Sequence, residues 1–128
     1  MAGELLFVYG TLMRGFPLHG RLAGRAVYVG EGEVPGLLFD LGSYPAALRG
    51  AGGPIRGEVY RLADPGLWVT LDSVEGSQYH RGEVGVRMAS GGQLTACIYW
   101  YVGPLGGAVP IPSGDYRAHP PARSIHHR

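Results

Sequence analysis

Two carboxylates three residues apart, Asp72 and Glu75 in LDSVEG, are the residues whose type and spacing suit proton transfer. On a helix this spacing puts both on one face, where repulsion and burial would raise the pKa of one toward the range of a general acid or base. Glu75 stands at the helix end, where the macrodipole disfavours an acid, so it reads equally as a functional carboxyl and as a solvated one. A second candidate is YGTLMRG at 9–15, where Gly10 stops an apolar run. A glycine turn can aim successive N–H groups outward as a concavity for a carboxylate or phosphate. The plain alternative is a turn glycine followed by a capping Thr11.

Other chemistries lack their residues. All 11 basic residues are Arg and none is Lys, which excludes a Schiff-base lysine, a pyridoxal anchor and a phosphate-loop lysine. Cys97 is the single cysteine, so there is no disulfide framework and no multi-cysteine zinc site. His19, His80 and His119 are far apart without an HxxxH or HExxH pattern, and His126 and His127 lie in the tail. No serine sits in a GxSxG elbow. Tyr99, Trp100 and Tyr101 alternate along an apolar run, so one face of that strand is available to a pocket while the other packs the core.

The net charge is +1, but the tail RAHPPARSIHHR holds three Arg and no acid, leaving eight Arg against ten acids before it, or −2. The arginines of the body are dispersed among acids, unlike the clustered basic face of a nucleic-acid binder. No apolar stretch approaches the length of a membrane span, and the N-terminus MAGELLFVYG shows no basic leader, so a cytoplasmic protein without membrane or nucleic-acid partners is expected.

The elements that must position these residues are mostly short strands. With 128 residues the chain suits one domain, placed at 1–116, followed by a tail at 117–128 expected to be flexible unless it docks. The 23 Gly and 10 Pro favour strands and turns over a helical bundle. LLFVY at 5–9 reads as a strand buried on both faces, and the glycine-rich segment after it as a loop with a helical turn starting at Pro17. AVYVG, GLLFDL, YPAALR and IRGEVYRL read as further strands. DPGLWVTLDSVEG reads as a helix with Asp64 as cap, Pro65 in the first position, an apolar stripe at Leu67, Leu71 and Val74, and a stop at Gly76. YHRGEVGVRM and QLTACIYWYV flank a turn at Ser90–Gly92 as an antiparallel hairpin, and GPLGGAVPIPSGD reads as loop.

The ordered blocks LFVYGTLMRG (6–15), LFDLGSYPA (38–46), GEVYRL (57–62), LDSVEG (71–76), YHRGEVGV (79–86), ACIYWYV (96–102) and IPSGDY (111–116) together resemble the γ-glutamylcyclotransferase-like superfamily. The resemblance implies an α+β fold, a small mixed β-barrel with short flanking helices. It places the catalytic carboxylate on Glu75 and the substrate-binding turn on Tyr9, Gly10, Thr11 and Leu12, with Arg14, Tyr44 and Tyr101 as further substrate contacts. The implied reaction is attack of the α-amine of a γ-glutamyl group on its own γ-amide carbonyl, releasing 5-oxoproline and an amine. It needs no cofactor and no metal, and the implied partner is a small γ-glutamyl molecule bound by a monomer or homodimer. The turn reads YGTL and not YGSL, which is closer to the γ-glutamylamine branch than to the glutathione-degrading one, and Tyr116 stands where another aromatic, often Trp, is usual. A non-catalytic module that binds a small carboxylate in the same pocket is the competing reading.

Overall fold

Leu5–Val8 form β1, and all four side chains are buried because the strand is paired on both edges and covered on both faces. The computed structural model describes residues 4–42 and 44–119. β1 is followed by a single 3-10 turn at His19–Arg21, then β2 (Ala26–Val34), β3 (Leu37–Asp40), β4 (Pro45–Leu48) and β5 (Ile55–Leu62). Helix α1 (Leu67–Glu75) precedes β6 (Tyr79–Met88), β7 (Gln93–Tyr101) and the two-residue β8 (Val109–Pro110). Strands β1-β5-β2-β6-β7 close into a barrel, and β4-β3-β8 form a separate three-stranded sheet beside it. β5 runs antiparallel to β1, pairing Leu5 with Arg61 and Val8 with Glu58, while β7 closes the barrel by a parallel contact at Leu6 and Cys97. This is the mixed barrel expected of the fold class.

The period of two along β1 divides the core. Leu5, Phe7 and Tyr9 join Val34, Ile55, Val59, Ile98 and Trp100 in one apolar cluster. Leu6 and Val8 point to the other face and pack with Leu22, Leu67, Leu71 and Tyr99 in a second cluster beneath α1. Leu67 and Leu71, one helical turn apart, are fully buried and pin the helix. Gly76 ends it at φ +79, donating its N–H to Asp72 O at 3.1 Å.

Three local expectations change. The helix starts at Leu67 and not at Pro65, because Asp64 Oδ1 accepts the N–H of Gly66 at 2.9 Å and makes a side-chain turn that consumes Pro65 and Gly66. Within GPLGGAVPIPSGD a short edge strand forms, pairing Pro110 with Phe39 and Val109 with Asp40, a position where a proline lacking its N–H is tolerated. The first residues of the tail are docked: Arg117 Nη2 donates to Glu58 at 3.1 Å, and His119 Nε2 lies 3.0 Å from Asp40 Oδ2. The remainder of the tail, 120–128, lies outside the described residues. Among the described residues no helix is long and apolar enough to cross a membrane.

Candidate active site

Where β1 leaves the barrel, the chain opens a cavity of about 300 Å³ between the 9–12 turn and the C-terminal end of α1. Phe7, Val8, Tyr9 and Tyr99, all buried, make its floor. The turn Gly10–Leu12 makes one wall, and Val74, Glu75 and Tyr79 make another. Leu18, Pro45 and the exposed Arg21 and Tyr44 complete the lining toward solvent.

The turn is held by its carbonyls. Gly10 O accepts from Met13 N at 2.9 Å and Thr11 O from Leu18 N at 3.0 Å, while Leu12 O lies 3.0 Å from His19 Nδ1. The N–H groups of Gly10, Thr11 and Leu12 make no backbone hydrogen bond among the described residues. Backbone donors without partners beside a cavity are the requirement for holding a carboxylate or a developing oxyanion. Gly10 has no positive φ. Its small size is required instead by Pro45, whose Cδ would lie 2.9 Å from a Cβ built on Gly10, with Cγ closer still.

Glu75 is half-buried at the last position of α1, and burial pushes its carboxyl up to about 7. No ion pair involves it among the described residues. The expected repulsion from Asp72 plays no part. Asp72 turns toward β7, accepting the Tyr99 hydroxyl at 2.5 Å and pairing with Arg81 at 3.3 Å, whose guanidinium covers the Trp68 ring at 4.4 Å. The two carboxylates therefore divide the work of their helix: Asp72 fastens it to the barrel and Glu75 faces the cavity. Tyr9 donates its hydroxyl to Tyr99 O at 2.6 Å, and Tyr79 donates to Pro45 O at 2.8 Å. Burial raises both phenols well above their ordinary value, with Glu75 a further contributor, so both remain neutral donors near the carboxyl.

The contiguous Tyr9, Gly10, Thr11 and Leu12 meet Tyr44 and Glu75, distant in sequence, at this cavity, whereas Arg14 and Tyr101 do not line it. Arg14 points to the opposite side of the turn, with Nε 3.3 Å from Glu58 Oε2 and its guanidinium 4.1 Å from the centre of the Tyr28 ring. Tyr101 packs edge-on against Tyr79 at 5.3 Å between ring centres and donates to Pro104 O at 2.6 Å, so it supports a lining residue. Arg21, Pro45 and Tyr79 line the cavity without having been singled out. Tyr79 carried a usable signal as the first residue of a strand directly after the Glu75 helix stop, while nothing in spacing marked Arg21. Among the described residues no cluster of His, Cys, Asp or Glu is placed to hold a metal ion.

Residues 6–118 match the family model described as gamma-glutamyl cyclotransferase, AIG2-like. The chain belongs to this family. A Methanocaldococcus jannaschii protein named as a putative γ-glutamylcyclotransferase is 29% identical over 119 residues, 89% of this chain and 96% of its own. An uncharacterised Pyrococcus horikoshii protein of known structure superposes with a TM-score of 0.74 at 30% identity, covering 97% of this chain and 98% of that one. An AIG2-like protein from mouse superposes with a TM-score of 0.69 at 25% identity, covering 79% of each chain. The barrel described above is thus the fold that this chain shares with its structural relatives.

Proposed function

We propose that the protein is a γ-glutamyl cyclotransferase that converts a γ-glutamyl amine or amide into 5-oxoproline and a free amine. The observation that carries this reading is the pairing, in one cavity, of a half-buried carboxyl raised to about 7 with a turn whose N–H groups make no backbone hydrogen bond among the described residues. In the reaction the α-nitrogen bonds to the γ-carbonyl carbon, and the bond from that carbon to the leaving nitrogen breaks. The α-ammonium gives up one proton to Glu75 as it becomes a nucleophile, Glu75 returns that proton to the departing nitrogen, and the second proton that the α-nitrogen loses as the lactam N–H forms ends on the released amine, which leaves as an ammonium ion, or in solvent. A carboxyl near 7 exists in both forms at neutral pH, as a shuttle acting first as base and then as acid requires. The turn N–H groups supply fixed donors for the negative charge of the glutamyl end and for charge that develops on the γ-oxygen. Folding the substrate into a ring-closing geometry inside a small cavity contributes through proximity, and no protein nucleophile takes part.

The test is 5-oxoproline release from a panel of γ-glutamyl amines, γ-glutamyl amino acids and γ-glutamyl-ε-lysine. Release from at least one member that is lost in Glu75→Gln supports the reading. Saturable binding of 5-oxoproline or glutamate with no release across the panel would favour a binding module.

A further inference from the structure

On the side of the 9–14 turn away from the cavity, charged groups gather around one carboxylate. Glu58, the acid of GEVY in β5, is 2% exposed and does not line the site. Its Oε1 accepts the backbone N–H of Arg14 at 3.0 Å and the Tyr60 hydroxyl at 2.9 Å. Its Oε2 accepts from Arg14 Nε at 3.3 Å and from Arg117 Nη2 at 3.1 Å. Arg117, 103 residues from Arg14 along the chain, also donates from Nη1 to Arg14 O at 2.8 Å. One carboxylate and one guanidinium therefore hold both peptide groups of the residue on which the turn ends.

An ionic cluster around one buried carboxylate, with both arginines half exposed, is weak evidence for stability. What this cluster does provide is a fixed anchor for backbone, and the backbone it anchors is that of the candidate substrate turn. We propose that Glu58 and Arg117 are positioning residues for this turn: from behind it they fix the peptide planes of residues 10–14 and so aim the N–H groups of Gly10, Thr11 and Leu12 into the cavity. Arg14 contributes through its main chain and its stacked guanidinium, and the C-terminal segment completes a site it does not touch. The inference rests on the reading of the turn as the substrate-binding element.

Two readouts test it, one needing no ligand. Glu58→Gln keeps the shape but turns an acceptor into an NH2 group facing donors, and Arg117→Ala removes the clamp on Arg14 O with little change to the core. In both variants the amides of Met13 and Leu18, whose bonds close the turn, should exchange with solvent at least about tenfold faster. The Kd for 5-oxoproline should rise by about tenfold or more, equivalent to loss of one charged hydrogen bond. The kcat should fall as well, because the same N–H groups hold the charge that develops on the γ-oxygen, whereas the acid limb near 7 should not move, because Glu75 is untouched. Arg61→Ala, which removes a surface pair with Glu4 at 3.9 Å, is the control expected to change neither readout. Unchanged exchange and unchanged Kd in folded Arg117→Ala, or a lowered melting temperature with normal binding in both variants, would overturn the positioning role. A wild-type protein that does not bind 5-oxoproline would count against the cyclotransferase reading, and amide exchange would still decide the role of the anchor.

Discussion

Gly10 and Pro45 pack so closely that a side chain on Gly10 would collide with the proline ring: a Cβ on Gly10 would sit 2.9 Å from Pro45 Cδ and nearer still to Cγ. This contact presses the side sheet against the 9–12 turn and brings Pro45, whose carbonyl holds the Tyr79 hydroxyl, to the cavity edge. Gly10→Ala should therefore destabilise the fold by about 1–3 kcal/mol, as overpacking does, and weaken 5-oxoproline binding at the same time. Pro45→Ala removes Cγ and Cδ and leaves only Pro45 Cβ, at 3.6 Å, within ordinary contact distance of the new methyl. The double variant should recover much of the lost melting temperature, so the cycle yields a favourable coupling; additive losses would mean that the glycine answers to something other than Pro45.

The raised carboxyl of Glu75 makes a prediction about stability versus pH. A carboxyl with a folded-state pKa of about 7 against an ordinary 4.5 binds its proton more tightly in the folded state, so it costs stability as pH rises through that window. Glu75→Gln should leave stability unchanged near pH 4 and raise it on the order of 1–3 kcal/mol at pH 8, after solvent screening of a half-buried group. Denaturant melts of both proteins at the two pH values measure this, and equal stability differences at pH 4 and 8 would contradict it.

Asp72 is the control carboxylate. It does not line the cavity itself, and its bonds run to Arg81 and to the hydroxyl of the floor residue Tyr99, so Asp72→Asn should keep turnover within about tenfold while lowering the melting temperature by loosening α1 on β7. Parallel loss of activity to the level of Glu75→Gln, in a folded protein, would move the proton shuttle to Asp72.

Arg21 stands exposed on the lining of the cavity, whose floor is buried, and among the described residues it makes no ion pair. With the glutamyl end on the turn, the leaving amine faces the open side, where a free guanidinium favours an acidic group. Arg21→Ala should lower kcat/KM for γ-glutamylalanine by roughly tenfold and leave γ-glutamylethylamine, which lacks the second carboxylate, within about twofold. An equal loss for both substrates would place Arg21 on the α-carboxylate instead.

The parts of this architecture visible in the sequence were those governed by local periodicity and punctuation. Gly76 ended the helix and the Ser90–Gly92 turn joined β6 to β7 as expected, because these signals depend only on neighbouring residues. The convergence of the 9–12 turn, Tyr44 and Glu75 followed from the resemblance and not from spacing, since the three lie on different elements. What local signals did not carry was side-chain direction. Arg14 and Tyr101 do not line the cavity: Arg14 is drawn to Glu58 on β5, the strand beside β1, and Tyr101 donates to Pro104 O three residues on. The size requirement at Gly10 likewise depends on a partner 35 positions away, which no local rule supplies.

The central claim is that Glu75 moves the proton for ring closure. The most direct measurement is the rate of 5-oxoproline release by wild type and Glu75→Gln on whichever γ-glutamyl compound the wild type accepts, across pH 5 to 9. The wild type should lose kcat/KM below an apparent pKa near 7, and the variant should be slower by about 10²–10⁴-fold or more while binding 5-oxoproline normally. A folded Glu75→Gln protein within tenfold of wild type, with the same acid limb, would contradict the account.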